Sequence, residues 1–193
     1  YFNKFVGMIV SKIYYLYERY AVKKFDLILA ATPFIRDKLK KIHPNVIDIN
    51  NYPILGELNQ PSINFTEREN TIAFIGSIDE IRGTRQMIKA LEYCKTDIRL
   101  KLAGIFHSQT LRNQLIKYNG WKKVDEIGYV DRQSIKKILS EVRAGIAVFL
   151  PVPNFIHSRP NKLFEYMSAG LPVIASNFPL WKSIIEDKKC GIT

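Results

Sequence analysis

Three charged side chains lie close together near the C-terminal end of this 193-residue chain. Arg159 and Lys162 flank the predicted start of a helix, and Glu165 follows one turn later. Backbone N–H groups are free at a helix N-terminus and the helix dipole favours an anion there, so this place suits a diphosphate. The carboxylate of Glu165 is an acceptor suited to a polyol such as a ribose. The stretch therefore predicts a site for a nucleoside diphosphate.

The elements that position these residues are indicated by apolar spacing and by Pro and Gly. Pro160 fixes φ at the helix entrance, and the apolar residues after it recur at helical spacing. Gly170 ends the helix and Pro172 prevents its continuation, so residues 173–175 are predicted as a short buried strand. A purely structural helix–strand corner is the alternative interpretation. Packing alone, however, does not call for charged side chains beside the loop.

The same stretch resembles a known family of enzymes. Residues 160–167 read PNKLFEYM, and residues 169–175 read AGLPVIA. This run resembles the donor-site signature of the GT-B retaining glycosyltransferases, and most closely the large bacterial family four (glycosyl transferases group 1) that builds capsule, exopolysaccharide and lipopolysaccharide. The resemblance implies a hexosyltransferase that moves a sugar from a nucleoside diphosphate sugar to an acceptor hydroxyl, with a UDP-sugar as the favoured donor. It implies neither a cofactor nor a metal ion.

The resemblance also implies roles for single residues. Glu165 matches the second Glu of the family's paired-Glu motif, which usually binds the ribose. The first Glu should lie eight positions earlier, where this chain has His157, so the contact to the donor sugar is expected to differ. Lys162 and the backbone of residues 161–164 are implied for the diphosphate. The residues that this resemblance assigns to the helix start are His157, Asn161, Lys162, Leu163, Phe164 and Glu165.

A second loop, residues 76–83, follows a predicted strand and opens a helix. Gly76 and Gly83 at its two ends allow the backbone to approach a phosphate closely, and Arg82 can bind a diphosphate through parallel donors. The family usually has an Arg directly after the first Gly and a Lys directly before the last. Here Ser77 replaces that Arg, and Arg82 stands in for the Lys. A solvated Arg at a helix start is the alternative.

A third segment, residues 128–131, lies between a predicted strand and a predicted helix. In the family this segment tends to hold the nucleobase. Tyr129 and Val130 could do so by stacking and by backbone contacts. An aromatic residue at a strand end also fits simple packing.

The overall organisation is an alternation of strands and helices. We expect an α/β fold, a Rossmann-like parallel sheet with helices on both faces and with ligands at the carboxyl ends of its strands. The predicted strands span residues 26–30, 46–49, 71–76, 98–104, 125–128, 145–150 and 173–176. The predicted helices span residues 2–24, 33–41, 84–94, 109–117, 132–139, 161–168 and 180–186.

By resemblance, three regions follow one another along the chain. Residues 1–52 are expected to be the end of an N-terminal, acceptor-side Rossmann-like domain, and residues 53–70 an interdomain linker. Residues 71–193 are expected to be the C-terminal nucleotide-sugar-binding domain, truncated at its end. Since most of the acceptor-side domain would be missing, such a fragment is expected to bind nucleotide weakly and to be inactive alone.

Composition limits the classes of protein to consider. Hydrophobic residues make up 47% of the chain, which excludes wholesale disorder. The sequence has no apolar run long enough for a spanning helix and no leader at its start, so we interpret it as a piece of a cytoplasmic protein. The two cysteines are far apart in sequence and indicate neither a metal site nor a disulfide framework.

The net charge of +11 predicts anionic partners. No helix-turn-helix, zinc knuckle or aromatic–glycine RNA motif accompanies the basic residues, so nucleic acid is not a favoured partner. A nucleotide-sugar donor and a glycan or lipid-linked acceptor are the expected partners. The lysine clusters at 23–24 and 38–41 would also suit a peripheral contact with anionic lipid at the inner face of the cell membrane.

Two other functions stay open from the sequence. The first is a nucleotide-sugar epimerase with the same GT-B fold, against which the PNKLFEYM run argues. The second is a non-catalytic basic module that binds nucleic acid or membrane. The replacement of the expected Glu by His157 also leaves room for a degenerate, non-catalytic member of the family.

Overall fold

A computed structural model describes residues 3–58 and 64–193 of the chain. The chain divides after Asn51 into two compact units. The predicted helix start at Phe2 lies outside the described residues, as does part of the predicted linker, residues 59–63. Within the described ranges no helix is both long and apolar enough to cross a bilayer.

The first unit is a small two-stranded parallel arrangement. Its elements are α1 (Lys4–Val22), β1 (Ile28–Ala30), α2 (Pro33–Lys40) and β2 (Val46–Asp48). The Thr32 hydroxyl accepts a hydrogen bond from the backbone of Ile35, and Pro33 occupies the first turn of α2. The buried core of the unit consists of Val22, Ala30, Leu39 and Val46.

In its described residues the second unit contains one six-stranded sheet and six α-helices. Its strands are β3 (Thr71–Ile75), β4 (Arg99–Ala103), β5 (Val124–Gly128), β6 (Ala144–Ala147), β7 (Val173–Ala175) and β8 (Gly191–Ile192). Its helices are α3 (Thr84–Tyr93), α4 (Gln109–Leu115), α5 (Arg132–Glu141), α6 (Pro153–Ile156), α7 (Asn161–Ser168) and α8 (Pro179–Asp187). Short 3₁₀ turns occupy Phe65–Glu67, Glu80–Arg82 and Asn119–Lys123.

The sheet of the second unit is entirely parallel, in the order β5-β4-β3-β6-β7-β8. The central strand β3 is buried at all five positions, so the sheet is covered on both faces there. The strand order reverses between β3 and β6, which is the topological switch point where such folds bind ligands. The predicted Rossmann-like α/β fold is confirmed.

Helix α6 and strand β8 are absent from the sequence prediction, and two further segments differ from it. The strand predicted over 145–150 ends at Ala147, because the chain then turns toward the loop 76–83 and Leu150 N–H donates to Ile81 O at 2.9 Å. In the segment expected to be a linker, Leu58 is fully buried in the core of the second unit. Neither feature has a local signal, because both depend on contacts between distant parts of the chain.

Strands β3 and β6 separate toward their carboxyl ends. Their ladder pairs only Ile72 with Ala144 and Ala73 with Gly145. Beyond this point the Tyr166 hydroxyl, from α7, accepts from Ile75 N–H at 3.2 Å and donates to Ile146 O at 3.5 Å. A Cβ added to Gly145 would lie 2.1 Å from Tyr166 Cγ, so only glycine leaves room for this ring. The separation opens a cleft at the switch point.

We expect Tyr166→Phe to destabilise the second unit, because it leaves the buried Ile75 N–H without a partner. The free energy of unfolding should fall by about 1–3 kcal/mol. Both tryptophans, Trp121 and Trp181, lie in the second unit, so their fluorescence during denaturant unfolding measures this quantity. Tyr93→Phe removes a hydroxyl from a tyrosine that is 83% exposed and should change nothing. Equal stabilities for the two variants would contradict the bridging role of Tyr166.

Candidate functional site

The larger of two adjoining cavities in the second unit lies at the carboxyl ends of β3 and β6 and has a volume of about 460 Å³. Helices α5, α6 and α7 also contribute to its lining. The structure thus brings together residues from three separate segments of the sequence. The predicted site residues that line this cavity are Gly76, Arg82, Asn161, Lys162 and Glu165.

A second cavity of about 310 Å³ adjoins the first, because Ile75, Gly76 and Ile135 line both. Three more of the predicted site residues lie here: Ser77, Tyr129 and Val130. Val130 is half-buried against the core, while Tyr129 is 78% exposed at the rim. A flat apolar group such as a nucleobase would fit between these side chains. The two cavities together can hold an elongated ligand with one apolar and one anionic part.

Helix α7 presents its N-terminus to the larger cavity. Pro160 occupies the N-cap position, and its side chain makes no capping hydrogen bond to the helix. Pro160 and Asn161 both line the cavity. The first N–H groups of a helix lack intrahelical acceptors, and together with the helix dipole they attract an anion.

Lys162 is the most unusual group of the site because lysine is charged at neutral pH in most proteins and yet this residue is only 8% exposed. Its Nζ donates to Ile75 O at 2.6 Å and lies 4.3 Å from the centre of the Phe74 ring and 5.5 Å from that of Phe149. Burial, and to a lesser extent the nearby positive charge of Arg82, lower the pKa of Lys162 to about 7. Glu165 and Asp79 offset only part of this effect.

Arg82 belongs to the loop 76–83 and lines the same cavity. Its Nε lies 3.3 Å from Asp79 Oδ2, within ion-pair range but outside hydrogen-bond geometry, and this buried Nε has no hydrogen-bond partner among the described residues. Asp79 Oδ1 accepts from Arg82 N–H at 2.9 Å and so fixes the turn. Arg82 therefore has donor capacity left for a ligand.

The two glycines of this loop serve different purposes. Gly76 has φ +129°, and a Cβ there would lie 2.6 Å from Lys162 Nζ and 3.6 Å from Arg82 Nη1. Gly76 is therefore the place where a ligand could approach both cations and the backbone. Gly83 has φ +70°, and a Cβ there would lie 1.8 Å from Val148 O, so this glycine packs the loop against the end of β6 instead of lining the cavity.

Glu165 lines the cavity and is bound by a residue that the sequence analysis missed, Arg132. Arg132 Nη1 donates to Glu165 Oε1 at 2.5 Å. The Nε and Nη2 atoms of the same guanidinium donate to the two oxygens of Glu57, each at 2.7 Å. Hydrogen bonding to Arg132 lowers the pKa of Glu57 below its ordinary value. Arg132 is 75 residues from Glu57 and 33 from Glu165, so no local pattern reveals the pair.

Besides Gly83, three of the predicted residues lie away from the lining of the two cavities. Leu163 is fully buried in the core, and the Phe164 ring packs edge-on against Tyr52 with 4.8 Å between ring centres. Only their backbone could therefore serve a ligand at the helix start. His157 is exposed at the end of the short helix α6, whereas its neighbours Asn154 and Ser158 line the larger cavity.

Metal ligands are not grouped within the described ranges: no three His, Cys, Asp or Glu side chains there are placed to hold one ion. The charges that face the larger cavity are instead the two cations Arg82 and Lys162 and the carboxylate of Glu165. This arrangement can bind a diphosphate at one end and a hydroxyl-bearing group near Glu165.

A comparison with protein families decides the assignment. The family described as Glycosyl transferases group 1 matches residues 57–193, which is most of the chain and all the residues of the two cavities. This chain belongs to the group 1 glycosyl transferases. The match begins at Glu57, the residue that binds Arg132. No curated protein sequence matches the chain.

Several solved structures share the fold of this family member. HepE from Anabaena, in complex with UDP, has a TM-score of 0.72 at 14% identity over 90% of this chain and 51% of its own. Sucrose-phosphate synthase from Thermosynechococcus elongatus has a TM-score of 0.66 at 16% identity over 91% of this chain and 46% of its own. A variant of S. aureus TarM has a TM-score of 0.66 at 15% identity over 84% of this chain and 32% of its own. The chain thus spans about half the length of these proteins or less.

The burial of Lys162 predicts a characteristic pH dependence of stability. Between pH 7 and about 10.4 the unfolded chain binds a proton at Lys162 that the folded chain does not. Because of this difference at Lys162, the free energy of unfolding of the wild type increases as the pH rises. Relative to Lys162→Met, which lacks the amine, the wild type should gain on the order of 3 kcal/mol over this range.

Denaturant unfolding followed by tryptophan fluorescence between pH 6.5 and pH 10 measures the difference between wild type and variant. The exposed Lys117 offers a control, since Lys117→Met removes an amine that lies outside both cavities. A flat difference for Lys162→Met would show that the amine is not desolvated in the folded protein.

Proposed function

We propose that this chain is the donor-binding part of a retaining hexosyltransferase that takes a nucleoside diphosphate sugar, with a UDP-sugar favoured. The observation that carries the proposal is the buried ammonium of Lys162 beside Arg82 and the uncapped start of α7. Placing two cations and a helix N-terminus at one cavity lowers the free energy of unfolding unless an anion is bound there. A diphosphate supplies the matching charge.

The nucleoside end of the donor fits the rest of the site. The base would lie in the smaller cavity between Val130 and Tyr129, and the ribose would face the carboxylate of Glu165. HepE has been solved in complex with UDP and with UDP-glucose, and TarM in complex with UDP. These relatives of the fold support uridine as the base of the donor.

The contribution of the protein to the transfer step would be electrostatic. When the bond between sugar and diphosphate breaks, negative charge develops on the leaving diphosphate. Arg82, Lys162 and the N–H groups at the start of α7 are already oriented toward that charge, so they stabilise it without reorganisation. This account uses no metal ion and no cofactor. A contact of His157 with the donor sugar is proposed from the resemblance alone.

The remaining parts of the proposal concern the acceptor and the location. The acceptor would be a hydroxyl of a glycan or a lipid-linked glycan in surface-polysaccharide assembly, and the enzyme would act in the cytoplasm. The lysines at 23–24 and 38–41 of the first unit would favour contact with anionic lipid at the inner face of the membrane.

Calorimetric titration of the 193-residue chain with UDP, GDP and ADP tests the donor site. We expect selective binding of one diphosphate, with UDP favoured. Arg82→Ala and Glu165→Ala should each weaken it by about tenfold or more, because each removes a charge-assisted hydrogen bond. Arg112→Ala is the matched control, since Arg112 forms a bidentate pair with Glu126 that lines neither cavity.

Two results of this titration would count against the proposal. One is that none of the three diphosphates binds, either to this chain or to a longer chain that covers the full length of the relatives. The other is affinity for all anions alike that falls steeply with salt and ignores both substitutions, as expected of a general basic surface.

Proton uptake gives a second test of the same site. The diphosphate should raise the pKa of Lys162 from about 7, so at pH 8 binding should take up nearly one proton. Calorimetry at pH 8 in buffers of different ionisation enthalpy measures this number, and the second phosphate pKa of UDP, about 6, adds little there.

The affinity should fall as the pH rises from 7 to 9, because more of the free protein must then be protonated. Lys162→Met should abolish both the uptake and this pH dependence. A wild type that binds UDP at pH 8 with no exchange of protons would refute the role given to Lys162.

A further inference from the structure

Arg132 and Glu57 stand directly behind the cavity, and no role follows for either from the sequence. Arg132 does not line the larger cavity, but Glu165, to which it is bound, does. The three side chains are partly buried, with exposures of 38% for Arg132, 30% for Glu57 and 21% for Glu165. The group therefore extends from the protein surface to the cavity wall.

The N–H donors of the Arg132 guanidinium are shared unequally between the carboxylates of Glu57 and Glu165. Its Nε and Nη2 are both used by Glu57, in a side-on bidentate pair with two distances of 2.7 Å. Only Nη1 reaches Glu165, and it binds a single oxygen, Oε1, at 2.5 Å. Within the described ranges no residue hydrogen-bonds to the other oxygen, Oε2. One oxygen of Glu165 is thus held, and the other is left to accept.

Glu57 is itself well anchored. Its backbone N–H donates to Ile54 O at 3.1 Å, and the next residue, Leu58, is fully buried in the core. Glu57 therefore holds Arg132 in a fixed direction. Without it, the guanidinium could turn and bind both oxygens of Glu165, as arginine usually binds a carboxylate.

On these contacts we propose that Arg132 is a positioning residue for nucleotide recognition, and that Glu57 is its anchor. The inference rests on the proposed function, since it assigns Oε2 of Glu165 to a ribose hydroxyl. Arg132 would act in two ways. It fixes the rotamer of Glu165 before the ligand arrives, and its charge offsets the repulsion between the Glu165 carboxylate and the diphosphate at the other end of the cavity.

The test compares ligands that differ by one hydroxyl. The Kd values of UDP, 2′-deoxy-UDP and 3′-deoxy-UDP are measured by calorimetry on the 193-residue chain. One of the two ribose hydroxyls is expected to donate a hydrogen bond to Glu165, and in the wild type the deoxy ligand that lacks it should bind about tenfold or more weakly than UDP. In Glu165→Ala this deoxy ligand and UDP should bind with equal affinity, which gives the Kd ratio for complete loss of the contact.

Arg132→Gln should lower the ratio of deoxy to ribo Kd by at least about threefold, because Glu165 is then free to turn away. Both Kd values come from one variant, so any unfolded fraction cancels from the ratio, which a merely structural role would leave unchanged. Glu57→Gln should lower the ratio too, since the released guanidinium can then cover Oε2. Arg112→Gln removes a comparable Arg–Glu pair elsewhere and should keep the wild-type ratio.

The possible outcomes distinguish failure of the positioning role of Arg132 from failure of the anchor role of Glu57 and of the ribose contact. A wild type that discriminates strongly, with an unchanged ratio in Arg132→Gln, overturns the positioning role and leaves the donor site intact. An unchanged ratio in Glu57→Gln alone overturns the anchor role. A wild type that binds no nucleoside diphosphate, or that binds UDP and both deoxy forms equally, overturns the ribose contact on which the inference rests.

Discussion

The second unit depends on how the backbone N–H and C=O groups of Ile75 are hydrogen-bonded where β3 separates from β6. Its N–H donates to the Tyr166 hydroxyl, and its C=O accepts from the Lys162 ammonium. These two side chains are four residues apart, so they lie one above the other on the same face of α7. One helix face therefore replaces the missing part of the β3–β6 ladder and at the same time delivers a cation to the cleft. The fold and the candidate site cannot be altered independently at this place.

This arrangement places a stability cost and a binding gain in the same side chain. Burial and the nearby charge of Arg82 disfavour the charged form of Lys162, and the faces of the Phe74 and Phe149 rings offset only part of this effect. The nearest carboxylates are already engaged, Asp79 with the turn before α3 and Glu165 with Arg132. An anion in the cavity would remove the conflict. Preorganised charge of this kind is destabilising in the free protein and useful in the complex.

The sequence was a good guide to whatever is local. The start of α7 at Asn161, the turn at Gly170 and the alternation of strands and helices all follow from the spacing of apolar residues with Pro and Gly, and the structure confirms them. Contacts between distant segments were not predictable in this way. Nothing near Arg132 indicates Glu57, and nothing near Leu58 indicates that it is buried in the core. The desolvation of Lys162 likewise arises from rings that are far away in sequence.

The two departures from the family pattern change how the donor would be recognised. Ser77 lines the smaller cavity and His157 is exposed, so neither adds a charge to the lining of the larger cavity. The sugar of the proposed donor would lie against Asn154, Phe155 and Ser158 of that lining, which offer only neutral hydrogen bonds and apolar surface. Charge-assisted hydrogen bonds are roughly twice as strong as neutral ones. In the proposed donor complex, the binding free energy would therefore be concentrated on the diphosphate and the ribose, with the sugar recognised mainly by shape.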